Sequence, residues 1–277
     1  MDITQQTITD YYLTSYQDKL TDLQSEKIPS KEKEREAQKF AIQKAAQYFF
    51  DKYPHADKTD IWNKIYSAHV SRKCGVEISR EVIDKAISAD QSWKKSSGHA
   101  FEAMVRDLAN AKITQSGLKI VLQKELSHLI KAGSIKNEER DREWLMSQIK
   151  TDTFDLFAII DDYVFGCIQA KTSIRDRVTR DREPSLQAME RFYWSVVFVL
   201  DGDFLKLPKF KGMVNGSSSS FTQNGWHAMY VFSLPESAGG GRIFHLDGDM
   251  NPFITHITKA VSDWQERRQW FNPQWTA

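Results

Sequence analysis

The segment Thr153-Phe-Asp-Leu-Phe-Ala-Ile-Ile160, then Asp161-Asp162, then Tyr163-Val-Phe-Gly-Cys-Ile-Gln-Ala-Lys171, decides how this chain folds. Two short apolar runs rich in Ile, Val and Phe, separated by polar residues, read as strands. The acidic pair between them reads as a turn. Asp155 stands on the first strand and Lys171 near the end of the second. Residues two apart on a strand share a face, so Gln169 and Lys171 point the same way, and hairpin pairing can bring Asp155 onto that face. A carboxylate and a lysine so placed can hold a divalent cation and an attacking water against a phosphodiester. A turn aspartate and a strand-end lysine are also ordinary features of any soluble protein, and the pair alone leaves both readings open.

Downstream lies Thr172-Ser-Ile-Arg175-Asp176-Arg177-Val-Thr-Arg180-Asp181-Arg182-Glu183-Pro184. Arginine donates two parallel hydrogen bonds to guanine O6 and N7, and an acid can accept from the cytosine amino group. Arg175, Asp176 and Arg177, with Arg180 beyond them, therefore suit the reading of G·C pairs. The plainer alternative is a solvated, self-compensating charge run. Two positions before Lys171, where nuclease signatures of this type carry an acid, stands Gln169. A neutral amide brings no charge to a metal, so a second carboxylate must come from elsewhere. Asp181 and Glu183 are the candidates, and Glu102, on an earlier helix, could complete the site.

Upstream the chain reads as helices. Ile8, Tyr12, Tyr16 and Leu20 recur every fourth residue and define one helical face. Pro29-Ser30 breaks the pattern, residues 31–51 resume it, and Asp60 is expected to cap a helix bearing Ile61, Trp62, Ile65 and Tyr66, ended by Gly75. A short helix is expected over 80–89, and another starting at Ser96-Ser97-Gly98 with Phe101, Met104, Val105 and Leu108 inward. Helices follow over 118–132 and 137–150. From about residue 151 strands take over, at 154–160, 164–170, 196–200 and 228–234, with loops at 216–220 and 239–241 that read as mobile. A last helix is expected over 254–269. Helices followed by strands argue α+β, or α/β with a mixed sheet. The division is a helical N-terminal region, 1–90, for dimer and DNA contacts, and a core, 91–277.

Basic and acidic residues nearly cancel, 38 against 37, so bulk charge provides no pull toward nucleic acid, although a local cleft can still be basic. The two cysteines, Cys74 and Cys167, argue against a disulfide framework; Cys167 reads as a small core residue. The N-terminal residues show no signal-peptide pattern and no run reaches membrane-spanning length, so a cytoplasmic protein with no membrane partner is expected. His99 is imaginable as a metal ligand but reads better as a surface residue at a helix start. Trp264, Trp270 and Trp275 could stack on bases, though packing is the commoner use of such residues.

Two blocks carry a resemblance: Gln91-Ser-Trp93-Lys-Lys-Ser-Ser97-Gly98-His-Ala-Phe101-Glu102 and Gln169-Ala-Lys171-Thr-Ser-Ile-Arg175-Asp176-Arg177-Val178. Through them the chain resembles the CCGG-family type II restriction endonucleases, in particular the BsaWI-like and AgeI-like members. The resemblance implies a PD-(D/E)xK core, a mixed central sheet flanked by helices, in a homodimer that could assemble further. It implies Mg²⁺-dependent hydrolysis of double-stranded DNA at a palindrome with a CCGG core (W/CCGGW), leaving 5′ overhangs. In this family the second acid is displaced downstream of the lysine, which accounts for Gln169. By that pattern Asp155 and Asp181 or Glu183 would be metal ligands, Lys171 would orient the water, and Glu102 would be an outer member. Arg175, Asp176 and Arg177 would read the core bases, with a spacing one residue shorter than in several members. A repair or structure-selective nuclease of the same fold, and a non-enzymatic interaction protein, are the rival readings.

Overall fold

The computed structural model describes residues 3–74, 80–174, 177–266 and 274–276. The chain packs as two units, Met1–Met104 and Val105–Ala277. The first is helical: α1 (Gln5–Asp22), α2 (Ser30–Lys52), α3 (Lys58–Cys74) and the first part of α4 (Arg80–Lys112). As the four-residue spacing requires, Ile8, Tyr12 and Tyr16 are buried along α1. Ala41, Ile42, Ala45 and Phe49 of α2 and Ile65 of α3 are buried in the same unit. Small alanines at these positions let helices approach closely.

Two helix boundaries differ from the sequence reading. Helix α3 starts before Asp60, and the Thr59 N–H instead donates to Asp57 Oδ1 at 2.8 Å. Ser96-Ser97-Gly98 starts no helix: α4 runs unbroken for 33 residues, with both serines buried in its interior. Capping residues mark helix starts only where the preceding residues cannot continue the helix. Here Ala89, which is buried, and Trp93, which packs on Trp62, extend the periodicity upstream. Gly75 lies outside the described residues.

One buried group in this unit sets a pH dependence. His69 Nε2 lies 3.2 Å from the Ala89 carbonyl, to which it can only donate, so Nδ1 accepts from the Tyr12 hydroxyl at 2.9 Å. Burial first, and then the nearby Arg72 charge, lowers the His69 pKa from 6.5 to about 4. The folded ring stays neutral while the unfolded chain takes up a proton, so stability falls as pH drops from about 6.5 toward 4. The loss approaches roughly 3 kcal/mol at the lower end. Thermal melts across that window are expected to show a steeper acid slope for the native protein than for His69→Gln; equal slopes would assign the effect to other groups.

The second unit is built on a six-stranded sheet in sequence order: β1 (Leu118–Leu122), β2 (Leu156–Ile160), β3 (Tyr163–Ser173), β4 (Trp194–Asp201), β5 (Ala228–Ser233) and β6 (Ile243–His245). Strands β1 to β3 pair antiparallel and β3 to β6 parallel. The sheet is therefore mixed, with helices α5 (Gln123–Lys131), α6 (Glu139–Lys150), α7 (Val178–Glu190), α8 (Pro208–Asn215) and α9 (Asn251–Glu266) around it. On one face Phe157, Cys167 and Tyr193 pack with Leu126 and Leu145, and Val197, Val199, Met229 and Val231 pack with Val178, Phe210 and Val214. On the other, Phe253 of α9 stacks on Trp194 and meets Phe198 and Tyr230 edge-on. Burial on both faces explains why these strands read as continuous apolar runs.

The hairpin forms as expected. Asp161 and Asp162 take φ of 49° and 71°, the two left-handed positions of a type I′ turn, which aspartate tolerates better than most residues. A register shift between Ala158 and Ile159 bulges the ladder. Asn137 pairs with the Val164 backbone, donating to its carbonyl at 2.9 Å and accepting from its N–H at 2.8 Å, where β4 pairing has not yet begun. The expected helix over 118–132 proves to be a strand followed by a helix. Leu118, Val121, Leu122 and Leu126 satisfy helical spacing, but Asn110 of α4 offers its amide to both backbone groups of Ile120, at 2.8 Å each, and fixes the strand. Helices α7 and α8 and strand β6 were not expected. Helix α9 starts three residues before the expected position. Trp264 packs beside Tyr163 and Phe165, and Trp275 is buried with its indole N–H on Asp263 at 2.8 Å, so both are packing residues; Trp270 lies outside the described residues. Among the described residues, no helix is long and apolar enough to cross a membrane.

Candidate active site

Asp155 immediately precedes β2 and extends its ladder, donating its N–H to the Ile168 carbonyl at 3.0 Å. Phe154 and Leu156 on either side are fully buried, which fixes the backbone and leaves the carboxylate on the face of Gln169 and Lys171. Its Oδ2 accepts from the Ala170 N–H at 2.7 Å and from Lys171 Nζ at 2.9 Å. The Asp155 side chain is only 7% exposed and that of Lys171 23%. A charge pair this enclosed loses much of its Coulomb gain to desolvation, and an apolar pair of similar volume would serve stability at least as well. Its presence at the end of a strand is therefore better explained by chemistry than by stability.

Strand β3 leads into α7, and α7 returns an acid to the same place. Asp181, in its first turn, is half-buried; burial raises its pKa from its ordinary value, opposed by the charges of Lys171, Arg177 and Arg180. The Asp181 carbonyl lies 3.0 Å from Gln169 Nε2, which brings the first turn of α7 to the strand end that carries Lys171. Glu183 is exposed, as are Arg177, which caps α7, and Arg180. Residues two apart on a helix face roughly opposite directions, so Asp181 and Glu183 cannot both serve one site. Glu102 belongs to the helical unit, where its Oε2 lies 3.2 Å from His99 Nδ1; His99 sits within α4, not at a helix start. Arg175 and Asp176 lie outside the described residues.

Gln169 takes a part that the sequence did not signal. Fully buried, it accepts from the Trp226 indole N–H at 2.8 Å and donates to the Asp181 carbonyl at 3.0 Å. Trp226 arrives through the 217–226 segment, entered at Gly216, whose φ of 67° ends α8; an added Cβ there would stand 2.4 Å from Asn224 N. Arg182 ties the same segment to α7, donating to the Gln223 carbonyl and lying over the Phe221 ring at 5.2 Å.

Among the described residues no three His, Cys, Asp or Glu side chains form a ligand cluster. Asp155 paired with Lys171, with Asp181 on the adjoining turn of α7, nevertheless matches what Mg²⁺ ordinarily takes from a protein: one or two acids, its other positions being filled by water and phosphate oxygens. The set contains only hard oxygen donors, with no thiolate or imidazole to favour zinc.

The family model for BsaWI restriction endonuclease type 2 matches residues 135–270, a span holding Asp155, Lys171 and Asp181. A crystal structure of the pre-specific restriction endonuclease BsaWI–DNA complex superposes with a TM-score of 0.69, at 45% identity over 98% of this chain and 98% of that one. The chain belongs to the BsaWI restriction endonuclease family. As a member it is an enzyme, a type II site-specific deoxyribonuclease, and its mixed sheet with flanking helices is the fold of that family. The specific AgeI–DNA complex is also similar, with a TM-score of 0.61 at 18% identity over 92% of this chain and 91% of that one, a likeness of fold. No curated protein matches.

Proposed function

We propose that this restriction endonuclease acts as a homodimer on double-stranded DNA at a palindrome with a CCGG core, W/CCGGW, cutting before the first C to leave 5′ overhangs. The observation that carries the proposal is the enclosed Asp155–Lys171 pair, 2.9 Å apart, with Asp181 in the field of the same lysine. Duplex DNA as the ligand is supported by the two similar structures, both determined as DNA complexes. The Arg175-Asp176-Arg177 string after the lysine supports a G·C-rich core, and the exposed Arg180 is proposed as a further DNA contact.

In this reading Asp155 and Asp181 would hold Mg²⁺, which when bound supplies positive charge to the leaving oxygen. Lys171 orients the attacking water by donating to it, and its ammonium offsets charge that develops on the phosphate oxygens. Burial of Asp155 keeps bulk water from competing for these contacts. Glu102 is proposed as an outer member of the site. A palindromic site is two-fold symmetric, and two copies of a chain with one such centre match it strand for strand.

Purified protein incubated with Mg²⁺ and a plasmid of known sequence is expected to yield a fixed set of fragments. Sequencing their ends should find CCGG at every 5′ terminus with A or T beside it. Ends scattered over unrelated sequences would mean a structure-selective nuclease, and a different fixed sequence would remove the CCGG assignment.

A further inference from the structure

The amide of Gln169 stands where an acid would be expected, and its surroundings require an amide. The indole N–H of Trp226 can only donate, so it fixes which end of the side chain is oxygen. The other end is then a donor, and it meets the Asp181 carbonyl. A carboxylate at this position could accept from Trp226 but could not donate to Asp181. Its charge would instead face a carbonyl oxygen in a buried setting, a costly arrangement.

Helix α7 is locally weakened at this turn. Pro184 lies inside it and has no N–H for the Arg180 carbonyl, so the turn around Arg180 and Asp181 lacks one of its own bonds. Gln169 supplies a bond to this turn from the neighbouring strand, and Arg182 supplies another by holding Gln223. The acid missing from β3 and the acid present on α7 are thus linked through one side chain.

We propose that Gln169 is a positioning residue: clamped between Trp226 and the Asp181 carbonyl, it sets the first turn of α7 so that the Asp181 carboxylate serves the centre formed by Asp155 and Lys171. The inference rests on the assignment of Asp181 as the second metal ligand. Gln169 itself touches neither water nor phosphate; it acts through Asp181.

The test uses full-length protein and the Mg²⁺ dependence of single-turnover cleavage, together with hydrogen–deuterium exchange of metal-free protein over residues 178–184. For Gln169→Leu the half-saturating Mg²⁺ concentration should rise by about tenfold, the usual scale when a ligand loses its orienting partner. The rate should largely recover at high Mg²⁺, and exchange in α7 should quicken without any metal present. Trp226→Phe, which retains a buried ring and removes the donor, should move both readouts the same way by a smaller factor. Gln169→Glu should also raise the Mg²⁺ requirement, despite adding an acid at the expected place. An unchanged Mg²⁺ profile in Gln169→Leu and Trp226→Phe, or a lowered requirement in Gln169→Glu, would overturn the clamp. Asp181→Asn, which keeps the carbonyl that Gln169 holds, separates the two claims. If it titrates with Mg²⁺ like the native protein, the Asp181 assignment fails; if it is impaired while the Gln169 variants are not, only the clamp fails.

Discussion

Lys171→Ala is expected to lower the cleavage rate by roughly 10³-fold or more while leaving DNA binding largely intact. The ammonium touches Asp155 Oδ2 at 2.9 Å and, in the proposed reaction, donates to the attacking water. Alanine removes that donor and its positive charge together. The carboxylate would stay in place, because the Ala170 N–H still donates to it at 2.7 Å and the β2–β3 ladder fixes its backbone. Loss of activity should therefore not be loss of fold. Single-turnover cleavage and gel-shift binding on one duplex separate the two effects. A Lys171→Ala protein that still cuts plasmid DNA at the native positions would remove the lysine from the reaction. A protein that neither cuts nor binds would make it a structural residue.

The second large effect distinguishes two acids that stand two residues apart. Asp181→Asn is expected to slow cleavage by roughly 10²- to 10³-fold, and Glu183→Gln to change it by no more than about twofold. Asp181 is half-buried and lies in the field of Lys171, whereas Glu183 is exposed, turned by about 200° around α7. Because burial raises the Asp181 pKa, the ionised form that could hold a cation should be lost at a higher pH than an exposed aspartate would show. In the metal-free protein that proton competes with the cation, so the half-saturating Mg²⁺ concentration should rise as the pH falls. Should Glu183→Gln prove the inactive variant, the face of α7 presented to the centre would be the opposite one.

The hairpin was legible because its signals agree: apolar runs of strand length, a turn of two aspartates, and a lysine at alternating distance from Gln169. Asp155 and Lys171 share a face only because of the register shift between Ala158 and Ile159. Regular pairing from the two-residue turn would set Asp155 opposite Ile168, on the other face, and no local pattern reports the shift. What the sequence could not convey was the return of α7. Its string of arginines and acids reads as a solvated run, since only Val178, Ser185, Ala188 and Met189 are buried, and Pro184 looks like a terminator. Without that helix nothing chose between Asp181 and Glu183. Strand β1 failed for a different reason. Five residues that fit both periods take their conformation from a distant partner, Asn110, and no local pattern reports such a partner. Trp226 carries no motif either; its importance comes from Gln169, more than fifty positions away.

The sheet's two margins are guarded by different means. At one, the Asn110 amide occupies the donor and acceptor of Ile120 that a foreign strand would need; at the other, β6 is three residues long, too short to template a neighbour. A molecule rich in fully apolar strands is thereby protected from edge-to-edge aggregation, and a single asparagine does that work on the longer side.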